Sequence, residues 1–213
     1  MEPQSFKERI VEVAIEQAKI YQSVFIDYEY LLCSDAFVKH NYYIIAATKN
    51  NYRHLIGVNT SISADEFFEK CVNGELNEND FDFIKPGRSE KEIKGSVRRK
   101  IKSLPFFMKM IDNDLVAQED YQKNEVMCSF ATTDCNMTIG FTDNGKSRPK
   151  SLLWGDSLDW GSSGFVELIL RRKPCEQSFS EIVVGDNAAL LKYKDKISDV
   201  ISPELLDHLS VPV

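Results

Sequence analysis

The sequence predicts an α+β fold: an antiparallel sheet packed against helices, in one domain with an N-terminal helix and a helical C-terminal tail. Three observations support this. Helical periodicity is confined to the N-terminus, two central segments and the tail, while strand-like runs gather between Val126 and Arg172. The elements are therefore segregated rather than alternating. No G-x-G-x-x-G follows a strand and no G-x-x-x-x-G-K-[ST] occurs, which disfavours a doubly wound nucleotide-binding fold.

From the N-terminus, Ser5 to about Phe25 reads as a helix, with Phe6, Ile10, Val13, Ala14, Tyr21 and Val24 at three- and four-residue steps. Ser5 and Glu8 form a capping box. Tyr42–Ala47 is a strand, Lys49-Asn50-Asn51 a turn, and Tyr52–Val58 a second strand, so this region reads as a hairpin. Ser63–Cys71 is a short helix. After Lys85-Pro86-Gly87 a basic helix carries the stripe Ile93, Val97, Ile101 and Leu104, which should face the sheet. Pro105 should end or kink it, with a second helical piece over Phe106–Ile111. Val126–Thr133 and Met137–Phe141 flank the turn Asp134-Cys135-Asn136. Thr142-Asp143-Asn144-Gly145 marks another turn. Ser151–Trp154, Phe165–Arg172 and Ile182–Val184 are further strands. Asn187–Leu209 is a helical tail interrupted at Ser202-Pro203.

The chain has 213 residues, 43% hydrophobic and 28% charged, ordinary for a soluble globular protein. Its apolar runs are too short to span a bilayer, and MEPQSFKER lacks the basic flank and apolar core of a signal peptide. A cytoplasmic location, in a bacterial host cell once the resemblance below is added, is the expectation. Five cysteines without C-x-x-C spacing argue against a disulfide framework and a structural zinc site. No H-E-x-x-H and no close Asp/Glu/His set suggests a metal, so neither metal nor cofactor is expected.

The formal net charge of −7 opposes indiscriminate binding to nucleic acid. Yet from Lys85 to Lys109 only Glu90 and Glu92 stand against Lys85, Arg88, Lys91, Lys94, Arg98, Arg99, Lys100, Lys102 and Lys109. Such a face suits a restricted anionic ligand; a solvated helix face is the plainer reading. Lys100 lies at the edge of the apolar stripe, where it either snorkels outward or reaches into a cleft. On an extended Tyr52–Val58, alternation puts Tyr52, His54, Ile56 and Val58 on one face. His54 is then either a packed histidine or an acid–base group. Arg148-Pro149-Lys150-Ser151 offers two cations and a hydroxyl at a strand start, and Arg171-Arg172-Lys173 ends the next strand. No G-x-S-x-G elbow accompanies Ser151.

Several of these segments carry a family resemblance. YRHLIGV (Tyr52–Val58), ADEFFEKC (Ala64–Cys71), RKIKSL (Arg99–Leu104), TIGF (Thr138–Phe141), PKSLLWGD (Pro149–Asp156) and ILRRK (Ile169–Lys173) resemble, in order and spacing, phage-associated domains of the barnase/EndoU/colicin/RelE-like nuclease superfamily. The resemblance implies a helix-on-sheet domain and metal-independent RNA cleavage. The matching polar positions are His54, Lys100, Ser151 and Lys173. Members of the superfamily use varied catalytic residues, so the match does not itself assign roles; the chemistry of 2′-hydroxyl attack does, with His54 as general acid or base, Lys100 and Lys173 binding phosphate and Ser151 orienting a phosphate oxygen. Tyr52, Arg53, Arg99, Arg148 and Lys150 are the expected substrate contacts. The expected organisation is an N-terminal helix (1–26), the nuclease-like domain (27–186) and the tail (187–213). RNA is the expected partner, with a host or antitoxin-like protein as a second. A different class stays open: an inactive phage protein that binds and inhibits a host factor, through the acidic tail or the loop from Trp154 to Trp160. A nucleotide-modifying transferase is a third, with Glu167 as its only obvious strand carboxylate.

Overall fold

A computed structural model, which describes residues 4–143 and 145–208, begins with helix α1 (Phe6–Tyr21), extended by a π-helical turn (Gln22–Ile26). Strands β1 (Glu29–Ser34) and β2 (Tyr43–Ile45) precede helices α2 (Lys49–Ile56), α3 (Ala64–Asn73) and α4 (Glu90–Met108), then a 3₁₀ turn (Met110–Asp112). There follow β3 (Val116–Glu119), β4 (Gln122–Lys123), β5 (Val126–Met127), β6 (Phe130–Thr133), β7 (Met137–Asp143), β8 (Ser147–Trp154), β9 (Ser163–Arg172) and β10 (Glu181–Val184). Helices α5 (Asn187–Ile197) and α6 (Pro203–His208) end the described chain. Asn144 of the expected turn, and the tips of the N-terminal and tail segments (1–3 and 209–213), lie outside the described residues.

The main sheet runs β1-β2-β8-β7-β6-β3-β9-β10, and a further pairing of β1 with β9 closes the first seven strands into a barrel-like ring. The expected sheet was purely antiparallel; the observed one is mixed. β2 pairs with β8 in parallel at Ile45 and Ser147, backed by Ala46 N–H donating to Ser147 O at 2.9 Å. The reason is local. The segment expected to pair with β2 as a hairpin is helix α2 instead, so the edge of β2 is left for β8.

Two faces of the ring are covered. Tyr30, Leu32 and Ile169 join the core shared with α1–α4, while Leu31, Cys33, Leu168 and Leu170 join a second core with Leu190, Tyr193 and Ile197 of α5. β1 is therefore buried at all six positions. It shows no polar alternation, and for that reason the sequence pattern does not reveal it. In the first core Phe25 stacks on Phe107 of α4 (4.5 Å, 2°), and Phe37, Tyr43, Phe130 and Phe141 form a run of ring contacts inside the sheet.

The expected apolar stripe of the basic helix is buried, at Ile93, Val97, Ile101 and Leu104. Pro105 does not end that helix. Leu104, Phe107 and Met108 on either side of it are all buried, and their packing offsets the ~3 kcal/mol an interior proline costs. The Ser5–Glu8 capping box is present in full. So is the Asp134–Asn136 turn, where Cys135 takes φ 70° and the Asp134 carboxylate accepts from the N–H groups of Asn136 and Met137.

Candidate functional site

Residues 49–56 form a helix because both ends are capped and one face is apolar. At its start the Asn51 side-chain oxygen accepts from Thr48 N–H (2.9 Å) and Thr48 Oγ1 (2.8 Å). At its end Gly57 adopts φ 88°, a left-handed position that favours glycine, and returns its N–H to Arg53 O. Tyr52, Leu55 and Ile56 are buried, a helical spacing that the short run YRHLIGV conceals. His54 thus sits in the last turn of a helix and not on a strand.

The carbonyls at this helix end are met by two lysines. Lys100 of α4 donates to His54 O, and Lys85 donates to Gly57 O at 2.7 Å. A side chain at Gly57 would collide with the Lys100 stem, 2.7 Å from its Cδ, so the glycine also makes room for that lysine. Burial, and then Lys85, pull the Lys100 pKa down to about 8. Burial, then Arg88 and Arg53, lower that of Lys85. The ring of His54 reaches the surface, but the packing around it and then Arg53, Lys100 and Lys85 push its pKa below the ordinary value. The imidazole is therefore neutral at neutral pH and stands among cations. Arg99 lies along the same helix as Lys100, lining a groove of about 850 Å³ with Arg88, Lys91 and Ser96.

The other expected residues go elsewhere. Tyr52 is sealed in the core, donating to Ala14 O at 2.6 Å and touching the rings of Tyr21 and Phe68, so it has no surface for a ligand. Ser151 pairs with Gly140, whose Cα faces Cys128 and Tyr121. Alternation turns Leu152 and Trp154 toward the helices, where Trp154 meets Phe106 and lies under the Lys102 amine (3.6 Å). Ser151 therefore lies on the sheet face away from α4 and Lys100. Lys150 donates to Met127 O at 2.8 Å. Arg148 is exposed and lines a cavity with Lys49, Lys146 and Pro174 near the start of α2. Lys173 is exposed beyond β9, its N–H given to Glu176. Of the four expected catalytic residues, then, His54 and Lys100 come together, with Arg53 near them and Arg99 in the adjoining groove; Ser151 and Lys173 do not join them.

A second constellation had no sequence signal. Glu119, at the end of β3, is 8% exposed and accepts from the N–H groups of Val38 (2.8 Å), Lys39 (2.9 Å) and His40 (3.2 Å). Tyr43 Oη donates to its Oε1 (2.8 Å), and His40 Nδ1 lies 3.1 Å from that oxygen and 2.8 Å from the Tyr43 hydroxyl. Burial opposes ionisation of Glu119, but these hydrogen bonds outweigh it and hold the carboxyl below the usual range. His40 and Glu119 are 79 residues apart, so only the closed sheet relates them. Lys85 was legible as a base; its place beside His54 was not.

Among the described residues no group of three or more His, Cys, Asp or Glu is placed to hold a metal ion, and no helix is long and apolar enough to cross a membrane. No curated protein and no solved structure matches the chain. A family model does: phage-Barnase-EndoU-ColicinE5/D-RelE like nuclease4, over residues 15–160. That span holds His40, His54, Lys100, Glu119 and Ser151 and stops short of Lys173. It begins inside α1 and covers well over half of the 213 residues. The chain belongs to this phage-associated, nuclease-like family.

Proposed function

We propose that the protein is a metal-independent endoribonuclease whose phosphate-binding surface is the basic cluster where α2 meets α4. The observation that carries this reading is the gathering of Arg53, Lys85 and Lys100 around a neutral His54, continued by Arg88 and Arg99. Fixed cations stabilise the charge that builds on a phosphorane. In the reaction a base takes the 2′-hydroxyl proton, the 2′-oxygen bonds to phosphorus and the bond to the 5′-oxygen breaks. That oxygen leaves with a proton from an acid, giving a 2′,3′-cyclic phosphate and a 5′-hydroxyl. The net charge of −7 keeps such a surface from holding long polyanions indiscriminately, so a restricted RNA target fits it better than bulk duplex.

The test is cleavage of a broad set of RNAs in EDTA by the full chain, with 2′-deoxy substrates as controls. Arg53→Gln and Arg99→Gln should weaken binding and flatten its dependence on salt. His54→Ala separates two roles by size. A loss of ~10²–10⁴-fold in rate marks a proton-transfer group, whereas a loss like that of Arg53→Gln marks a contributor to the binding face. Absence of cleavage by the wild type across the RNA set would overturn the reading.

A further inference from the structure

Three cations of α4 lie on one stripe that ends at an aromatic ring. Lys91, Gly95, Arg99, Lys102 and Phe106 recur at four- and three-residue steps, so they share a helix face, opposite the buried Ile93, Val97, Ile101 and Leu104. Against Phe106 stands Trp154, the last residue of β8. Its ring meets Phe106 edge-on (5.7 Å, 68°) and lies under the Lys102 amine at 3.6 Å. We propose that Trp154 is a stacking platform for an unpaired base, and that this stripe of α4 holds the phosphates of the same single RNA strand; the inference rests on the ribonuclease reading for its ligand class and adds to it the form of the substrate and the place where a base is held.

The charges on this face are not spent elsewhere. Lys94 pairs with Glu90 (2.7 Å) and lies over Phe83 (5.1 Å), Arg98 lies over Phe6 (4.9 Å), and Lys100 closes α2. Lys91, Arg99 and Lys102 are exposed, and among the described residues none of the three stands in an ion pair. Glu92, the carboxylate of the groove, is turned back to the Ser89 N–H and hydroxyl. Gly95 leaves the face between Lys91 and Arg99 open: the nearest atom to a Cβ placed there belongs to the Arg99 guanidinium, at 3.9 Å. Lys91 to Lys102 spans about 17 Å of helix, room for a short strand. The stripe also adjoins the basic cluster. Arg99 immediately precedes Lys100, and β8 meets α2 where Asn51 donates to Pro149 O (3.4 Å).

Of the two tryptophans, Trp154 is the one that suits a polyanion. Trp160 is more exposed, at 56% against 40%, but its N–H is given to the Asp156 carboxylate at 2.6 Å and Asp159 precedes it in the chain. Those carboxylates repel a phosphate backbone. At Trp154 the neighbouring charge is Lys102, on a long side chain exposed to solvent. When a base takes the ring, that amine moves to the flanking phosphate. The exchange is favourable, since base–aromatic stacking is stronger than an exposed cation–π contact. A duplex cannot use the platform, because its bases are already stacked on one another.

The experiment uses the full-length protein with Trp160→Phe, so that fluorescence reports Trp154 alone. The probes are a short 2′-O-methyl oligoribonucleotide, which cannot be cut because its internal nucleophile is blocked, the abasic strand of the same backbone, and a duplex of the same sequence. The base-bearing strand should quench Trp154 and bind ~5–150-fold more tightly than the abasic strand. By anisotropy of labelled strands, Trp154→Ala should remove that preference and leave the abasic affinity unchanged. Lys102→Met should weaken both strands and flatten the dependence on salt. No quenching by the base-bearing strand, equal affinity for the base-bearing and abasic strands, or equal quenching by the duplex overturns the inference. Because these strands bind without being cut, cleavage of unmodified RNA by the same protein then leaves the ribonuclease reading standing. If Trp154→Ala melts early, quenching and the comparison of the two strands on the Trp154 protein decide alone. Quenching and a preference for bases in a protein that cleaves no RNA overturn the ribonuclease reading and leave Trp154 a binding site.

Discussion

At the scale of single residues, Lys100 has two duties that pull apart. Its amine closes α2 by donating to His54 O, and its stem fills the space that Gly57 leaves open. Holding a charge there is unfavourable: burial and Lys85 bring its pKa from 10.5 to about 8. Between those values the unfolded chain binds more protons than the folded one, so this residue's contribution to stability rises with pH across the window. Below it the charged amine is at its most costly. Lys100→Met abolishes the effect. Denaturant melts of both proteins should show the wild type gaining on the variant as pH rises through that range; parallel stability curves would contradict it. His54 teaches a related point. A histidine in an apolar run reads as a strand residue facing a site, but the same run bounded by Thr48, Asn51 and Gly57 makes a capped helix.

At the scale of elements, the tail is bound mostly by apolar contact. Lys192 of α5 bridges Asp35 and Glu167, each at 2.6 Å, and Tyr193 Oη reaches Asp35 at 3.1 Å. The side chains of Lys192, Asp35 and Glu167 are 42%, 64% and 37% exposed, and exposed pairs contribute only ~0–1 kcal/mol. Leu190 is fully buried in the core formed with Leu31, Leu168 and Leu170. Leu190→Ala should therefore cost ~2–5 kcal/mol in chemical denaturation, against at most ~1 kcal/mol for Lys192→Met. Equal effects would mean that the ion pairs hold the tail. A chain ending at Asp186 uncovers that apolar face, so truncation tests the stability of β1 and β9 before it tests any activity. The helical tail and its break before Pro203 were legible as amphipathic pattern and proline; its docking face was not.

At the scale of the whole molecule, one buried carboxylate ties the closing strands together. Glu29 at the start of β1 accepts from Arg172 Nε (3.0 Å) and Nη2 (2.9 Å) on β9, and from Lys146 (2.5 Å) just before β8. Glu29 and Arg172 are 7% and 10% exposed at their side chains, so removing one charge strands the other in a dry place. Glu29→Gln should cost ~3–5 kcal/mol, read as a shift in denaturation midpoint. Lys146→Met, whose side chain is 45% exposed, should cost no more than ~1 kcal/mol. If the two variants are alike, the pair does not secure the β1–β9 seam.

The sequence by itself determined what depends on neighbours a few residues apart. The caps at Ser5 and Ser63, the apolar stripe from Ile93 to Leu104, the turn at Asp134–Asn136 and the basic run after Pro86 all rest on contacts within a turn or two. Only the tertiary structure decided the rest. β1 is buried on both faces and β3 is short, so neither shows a period of two. Pro105 stays helical because residues packed on α4 outweigh its local penalty. Whether Ser151 faces the helices or the opposite side depends on a bulge at Lys150 in the β7–β8 register, and one residue of shift reverses the answer. Glu119 meets His40 only because β3 takes its place in a closed ring. Short-range patterning sets the elements; burial on two faces and strand register set which distant polar groups share a site.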